Sequence, residues 1–411
     1  MSYSKDISSR IFKSCTLNKS TIEKIIFSHD GLIGNVIIIT DNESFEKGLD
    51  DLSKTNDGQF ISKIYFRYYI EKTLFECGDH PDDDIDVRVK YFKNLINSLS
   101  LVKQTEHRVV KQVFGGNIKN GSHPINLGPF CFYEIPRHAS HIKLPFSDPF
   151  FSKQQPTKTV IQLCVKSLDS YKASEIADTF FNTLELSFSF LLAKKGKEFS
   201  IGAFMYEFSP TEPPIIYTEG SIFGRTENKH EQDQIIDLAD LTDYFPEKKA
   251  SSMTNFFNVV LSPGTQLERK LSRAVEWIGE AYRDKNRSSA LLKVVIALEA
   301  LFKVNERSVI TASIVASMAE QCAYISGESV DECLEIEDYV KELYGLRSKV
   351  VHAGSNNLGE NELKKALTFS RSIIFKLIDL KINEKFESID ELQPKIRESK
   401  YKSCPLWQTT N

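Results

Sequence analysis

The sequence lacks the features that mark secreted, membrane-spanning and nucleotide-hydrolysing proteins. Its seven cysteines are odd in number and scattered, with no Cys-x-x-Cys pair, which favours free thiols in a reducing compartment. The first residues, MSYSKDISSRIFKS, contain no apolar core of signal-peptide length, and no window reaches a membrane-spanning run. No Walker or Gly-x-Ser-x-Gly sequence is present. We therefore expect a cytoplasmic protein that does not enter a membrane.

The chain also lacks an excess of charge of either sign. Its net charge is -4, so the whole chain gives no sign of nucleic-acid binding, which a local basic patch could still provide. Charged residues at 26% and hydrophobic residues at 41% are typical of a globular protein. A length of 411 residues exceeds the size at which a single core keeps growing, so two or three domains are expected.

Residues 1–250 read as a mixed α/β, strand-rich region, which divides into two lobes near residue 150. Three runs rich in β-branched and aromatic residues predict strands over residues 35–40, 61–70 and 156–166. Residues 41–52 predict a short helix capped by Asp41 or Asn42. Residues 173–193 predict a helix that is buried on most sides, since its apolar residues cover a wide face.

The character of the chain changes near residues 248–262, where polar residues 247–252 predict a surface loop and a domain boundary. Residues 262–383 form the predicted helical domain, with turn signals that delimit five helices in a bundle. The most apolar of these segments, residues 290–302, is expected to be central. Residues 384–411 read as a polar tail. The expected fold class is therefore α+β, with an all-α C-terminal domain.

One stretch of the helical region, LYGLRSKVVHAG, places Arg347 and His352 near a helix end. A guanidinium fork fits a phosphate group, and a histidine exchanges a proton near neutral pH, so the pair could bind and cleave a phosphodiester. The bare spacing occurs a second time, in Arg225 and His230, so the pattern alone is weak. The second pair stands in a polar segment without helical periodicity, where nothing would hold the two side chains together.

Packing is what sets the first pair apart. Gly354 is placed to cap its helix. Five positions along a helix correspond to about 140° of rotation, so either the long Arg347 side chain spans part of the gap to His352 or a second subunit completes the site. The apolar positions expected to anchor this helix in the bundle are Ile336, Val340, Leu343, Leu346, Val350 and Val351.

LYGLRSKVVHAG resembles the Arg-x(4 to 6)-His motif of HEPN domains, specifically the ApeA-like HEPN group of bacterial phage-defence proteins. The resemblance extends through residues 290–302 (ALLKVVIALEALF) and 310–325 (ITASIVASMAEQCAYI) and covers residues 271–380. It implies a helical bundle that dimerises with the two motifs face to face across the two-fold axis. It also implies metal-independent RNA cleavage, without a cofactor, that leaves a 2′,3′-cyclic phosphate.

Within that resemblance, His352 is the expected general acid or base and Arg347 the group that stabilises charge on the phosphorane. Many HEPN nucleases carry Asn, Asp or His directly after the arginine, whereas this chain has Ser348. Lys349 could add phosphate affinity or face solvent, and Tyr344 could stack on a base or pack in an interface. Glu299, a carboxylate in the most apolar segment, needs a partner and either orients Arg347 or another basic group, or forms a structural ion pair, which is the favoured alternative.

Three functions follow from these features. The favoured one is a dimeric endoribonuclease that acts as a toxin-like effector of phage defence by abortive infection, with an N-terminal region that senses a phage-derived trigger. The second is a non-catalytic HEPN dimerisation or RNA-binding module with recognition by the N-terminal region. The third is a metal-dependent hydrolase centred on His123, His138 and His141, although two histidines three residues apart in a loop are rarely a metal site.

Overall fold

The chain folds into a helix-rich α+β structure, seen in a computed structural model. The structure describes residues 2–17, 37–55, 59–77, 85–101, 103–119, 123–135, 137–138, 141, 159–193, 199–202, 215–218, 221–224, 236–246, 250–302, 311–353 and 358–402. These residues divide into two compact units, one of residues 1–109 and 164–179 and another of residues 110–163 and 180–411. Within the described part of the chain, no helix is both long and apolar enough to cross a membrane.

Unit 1 is mainly helical. Its antiparallel strand pair is β1 (Cys15–Leu17) and β2 (Ile37–Ile39). Its helices are α1 (Ser2–Phe12), α2 (Asn42–Ser53), α3 (Lys63–Cys77), α4 (Ile85–Ser100) and the start of α5 (Ser170–Leu192). Asp41 caps α2 as predicted, because its side chain accepts a hydrogen bond from the Ser44 N–H.

The strand predicted over residues 61–70 is wrong, since this segment begins α3. Phe66, Ile70 and Leu74 are all fully buried, and their four-residue spacing places them on one helical face. Aromatic and β-branched content favoured a strand, but tertiary burial of this face decided the outcome. With α4 also helical, the N-terminal region is less strand-rich than the sequence suggests.

Five strands form one sheet with the order β5-β6-β7-β3-β8. Its strands are β3 (Thr105–Phe114), β5 (Ile125–Leu127), β6 (Phe130–Glu134), β7 (Thr159–Ser167) and β8 (Ser200–Gly202). β7 confirms the strand predicted over residues 156–166 where the chain is described. Smaller pairs are β4 (Gly116–Asn117) with β11 (Ile236–Asp237) and β9 (Ile215–Thr218) with β10 (Ser221–Gly224).

The five predicted helices are present in unit 2, and the predicted turns at residues 284–288 and 326–329 each separate two of them; the predicted turns at 305–308 and 355–361 lie wholly or partly outside the described residues. These helices are α7 (Gln266–Arg283), α8 (Arg287–Phe302), α9 (Thr311–Ser326), α10 (Val330–Ala353) and α11 (Glu360–Glu384). α8 contacts the other four helices and is buried along most of its length, which confirms its central position.

Two further helices flank the bundle. α6 (Ala250–Leu261) begins inside the predicted loop of residues 247–252. Its buried residues Phe256 and Phe257 lie in a helix that packs against α7 and α11, and this packing accounts for the helix where the polar residues predicted a loop. α12 (Ile389–Lys402) lies in the segment predicted as a polar tail. Its buried residues Ile389, Leu392 and Ile396 form a narrow apolar stripe, so a mostly polar sequence still packs as a helix.

The N-terminus of α7 carries a capping box. The Thr265 hydroxyl accepts a hydrogen bond from the Glu268 N–H at 3.2 Å, and the Glu268 carboxylate accepts one from the Thr265 N–H at 2.9 Å. We expect Thr265→Ala to lower the free energy of unfolding by about 1 kcal/mol, measured by urea denaturation. Thr254→Ala, which removes an exposed hydroxyl inside α6, is the control and should change it by less than about 0.5 kcal/mol. Equal effects of the two substitutions would contradict a capping role.

Candidate active site

The candidate site lies at the C-terminal end of α10. Val340 and Leu343 are buried and fix this helix in the bundle, as predicted. Ile336, Leu346 and Val350 are only partly buried, and Val351 is 48% exposed, so the prediction that Val351 is an anchor is wrong. The expected cap, Gly354, lies outside the described residues, as do Arg225 and His230.

Arg347 is held in a defined position by a neighbour on the same helix. Its guanidinium carbon lies 5.4 Å from the centroid of the Tyr344 ring, three residues earlier. A cation over an aromatic face is attracted by the quadrupole of the ring, and the pair is partly buried, which strengthens the attraction. The ring therefore restricts where the charge of Arg347 can lie.

Tyr344 has a carboxylate neighbour, Glu299, which comes from the central helix α8. Burial raises the pKa of Tyr344, the neighbouring carboxylate raises it further, and the Arg347 guanidinium opposes this shift. Tyr344 therefore stays protonated at neutral pH and remains a donor. The hydroxyl of Tyr344 is thus a polar neighbour of Glu299.

The remaining predicted site residues lie around this stack. Ser348 is partly buried, whereas Lys349 and His352 are exposed to solvent. Within the described residues no hydrogen bond or ion pair joins His352 to Arg347, as expected for positions separated by about 140° on a helix. The structure thus brings Glu299, Tyr344 and Arg347 together and leaves His352 free to meet another molecule.

We expect Tyr344→Phe to lower the free energy of unfolding by about 1 kcal/mol, because the partly buried Glu299 carboxylate loses its hydroxyl neighbour. The ring that faces Arg347 is retained in this variant. Tyr171→Phe removes the hydroxyl of a ring that is 46% exposed and is the matched control. Both are measured by urea denaturation, and an unchanged stability of Tyr344→Phe would contradict a stabilising interaction between the Tyr344 hydroxyl and Glu299.

The histidines of the third hypothesis do not assemble into a metal site within the described residues. His138 is fully buried, and its Nδ1 accepts a hydrogen bond from the Glu134 N–H at 3.0 Å. The His138 and His141 rings are 5.9 Å apart and perpendicular, while His123 is exposed. In this part of the chain, no three or more His, Cys, Asp or Glu side chains are grouped so that they could hold a metal ion.

An open pocket of about 500 Å³ lies between α5, α7 and α8 in unit 2. Sequence reasoning did not identify it, since its residues share no motif. Lys293 stands 2.8 Å from Asp284, and Arg283 pairs with Glu185 at 3.1 Å. Two of the cations that line the pocket are therefore already paired with carboxylates.

Comparison with known proteins identifies no relative of this chain. No protein-family model matches it. No curated protein sequence and no solved structure matches it either.

Proposed function

We propose that the chain is a metal-independent endoribonuclease of HEPN type. The observation that carries the proposal is the stack at the end of α10, in which the Arg347 guanidinium lies over the Tyr344 ring and Glu299 is a neighbour of the Tyr344 hydroxyl. A fixed cation at a packed helix end, followed by an exposed histidine, is suited to binding and cleaving a phosphodiester. The resemblance of residues 271–380 to ApeA-like HEPN domains supports the same reading.

The proposed reaction needs few catalytic groups from the protein, because the RNA itself supplies the nucleophile. The ribose 2′-hydroxyl attacks the adjacent phosphorus, and its proton passes to a base, for which His352 is available. The bond from phosphorus to the 5′-oxygen breaks, and that oxygen takes up a proton. The products are a 2′,3′-cyclic phosphate and a 5′-hydroxyl. Arg347 stabilises the negative charge that builds up on the phosphorane oxygens.

Ser348 and Lys349 have supporting roles in this proposal. The exposed Lys349 adds attraction for the RNA backbone, and the partly buried Ser348 can donate a hydrogen bond to a phosphate oxygen. One chain carries a single histidine at this place, so we propose that the active form is a homodimer built through the helical bundle.

We further propose that the protein acts in the cytoplasm as a toxin-like effector of phage defence, causing abortive infection. In this role the N-terminal region senses a phage-derived trigger or restrains the nuclease. This part of the proposal rests on the resemblance to ApeA-like HEPN proteins and not on particular residues.

The second candidate function is a non-catalytic HEPN module for dimerisation or RNA binding. It is favoured by Ser348, which replaces the Asn, Asp or His common in HEPN nucleases, and by the separation of His352 from Arg347 within one chain. The two functions differ in whether RNA is broken.

Incubation of the purified protein with labelled RNA in excess EDTA tests the proposal. We expect cleavage by the wild-type protein and none by Arg347→Ala, which removes the charge but leaves Tyr344 and Glu299 in place. Binding of intact RNA without cleavage would support the second function. Cleavage that EDTA abolishes, or that Arg347→Ala retains, would contradict the proposed mechanism.

A further inference from the structure

The pocket between α5, α7 and α8 has one wall in which an arginine joins α7 to α5. Arg283, the last residue of α7, donates hydrogen bonds to the Ser189 hydroxyl at 2.7 Å and to the Glu185 carboxylate at 3.1 Å. It also donates to the backbone carbonyl oxygens of Glu185 at 3.3 Å and of Phe199 at 3.2 Å. The N–H donors of this guanidinium are therefore largely used within the protein, and Arg283 offers little to a ligand.

A second wall joins α7 to α8 through a lysine and an aspartate. Lys293 of α8 stands 2.8 Å from the carboxylate of Asp284, which directly follows α7. The same carboxylate accepts hydrogen bonds from the Ser289 hydroxyl at 2.5 Å and from the Asn286 N–H at 2.9 Å. Because Asp284 satisfies Lys293 and is itself saturated, both residues hold the wall together and are not free for a ligand.

The pocket is preformed because its helices touch through their backbones. A Cβ atom at Gly279 of α7 would stand 2.3 Å from the carbonyl oxygen of Leu186 of α5, so the two helices cannot approach further. Leu186 is 4% exposed and lines the pocket. The volume of about 500 Å³ is within the usual range of small-molecule sites, about 300–1,000 Å³.

Three other polar groups of the lining are available to a ligand. Lys285, between α7 and α8, is exposed and forms no ion pair within the described residues. The Glu280 side chain is 42% exposed, and its carboxylate lies 3.7 Å from Lys293, which is too far for a hydrogen bond. The side-chain amide of Asn182 is exposed and makes no hydrogen bond in the same part of the chain. The pocket therefore offers one ammonium, one carboxylate and one amide.

We propose that this pocket binds the zwitterion of an amino acid, either free or as a short peptide. The ligand's ammonium group is bound by Glu280 and its carboxylate by Lys285, while the Asn182 amide can donate to one or accept from the other. A ligand with a single charge would face a like charge on Glu280 or Lys285, whereas a zwitterion matches both. Leu186 supplies apolar surface against which an aliphatic side chain of the ligand packs.

Titration of the full chain with L-leucine, followed by ligand-observed NMR, tests the proposal. We expect a dissociation constant of about 1 mM, which is reasonable for a ligand of this size. N-acetyl-L-leucine lacks the ammonium group and L-leucinamide lacks the carboxylate, so each should bind about tenfold more weakly. L-leucyl-L-leucine separates the two sources: tighter binding than leucine identifies a short peptide, and weaker binding identifies a free amino acid.

Two substitutions assign each charge of the ligand to one residue. Glu280→Gln should weaken leucine binding about tenfold and bind leucine and N-acetyl-leucine almost equally, because the ammonium group has lost its partner. Lys285→Met should likewise weaken leucine binding and remove the preference for leucine over leucinamide. Both side chains are open to solvent, so the unfolding midpoints should stay at the wild-type value.

The controls make the same changes at exposed positions elsewhere in the bundle. Glu335→Gln on α10 and Lys364→Met on α11 should leave leucine binding unchanged. The proposal would be overturned if leucine does not bind at about 20 mM, or if its two blocked forms bind as tightly as leucine itself. Tighter binding of inorganic phosphate would also overturn it, since that result marks an anion site. None of these outcomes depends on RNA cleavage, so the pocket and the proposed nuclease function stand or fall separately.

Discussion

His352→Ala is expected to lower the rate of RNA cleavage by a factor of about 10²–10⁴, the usual contribution of a positioned general acid or base. In the proposed mechanism His352 transfers the proton, whereas Arg347 and Lys349 interact with the phosphate. The measurement is a single-turnover rate on a labelled RNA with the enzyme in excess.

A matched control is available within the same chain. His230→Ala removes the histidine of the second Arg-x(4)-His pattern and should leave the rate within about twofold. Because the His352 side chain is exposed, we expect His352→Ala to retain the wild-type unfolding midpoint. An equal loss of rate in both variants, or none in His352→Ala, would be incompatible with the proposed role of His352.

Gly279→Ala is expected to produce the largest loss of stability, about 3 kcal/mol, because α7 lies against the backbone of α5 at this point. A Cβ atom at position 279 would stand 2.3 Å from the carbonyl oxygen of Leu186 and 2.8 Å from its carbonyl carbon. Backbone atoms inside a packed bundle cannot move aside as a flexible side chain can, so the two helices must separate. The measurement is the free energy of unfolding in urea.

Gly264→Ala is the control for this substitution. A Cβ atom there would meet the Glu268 carboxylate at 3.5 Å, which is an ordinary contact. We expect a change within about 0.5 kcal/mol for this exposed position. If Gly279→Ala unfolds at the same urea concentration as wild type, the close approach of α5 and α7 is not part of the native protein.

The helices of the C-terminal region could be predicted because their sequence carries both a clear period and clear breaks. α7 begins at a capping box, and α8 is apolar enough to be recognised as central. α3 and α6 were missed for opposite reasons. In α3 the many aromatic residues are typical of a strand. In α6 the first residues are polar and resemble a loop, although buried residues follow them in the same helix.

The candidate site could be predicted only in part. Arg347 and His352 stand close in the sequence, so a short pattern together with a helical context identifies them. The link from Glu299 to Tyr344 joins two different helices, and only tertiary packing brings them together. The exposure of Val351 was missed because an apolar residue near a helix end is usually buried, and the sequence does not show which face the bundle covers.

The chemical ends of the RNA products test the central claim most directly. Products made by the wild-type protein in EDTA are separated and analysed for their terminal groups by mass spectrometry and by resistance to phosphatase. The proposed mechanism predicts 2′,3′-cyclic phosphate ends paired with 5′-hydroxyl ends, and no cleavage where the 2′-hydroxyl is replaced by hydrogen. Products with 5′-phosphate and 3′-hydroxyl ends would contradict it, because they require water and not the ribose as the nucleophile.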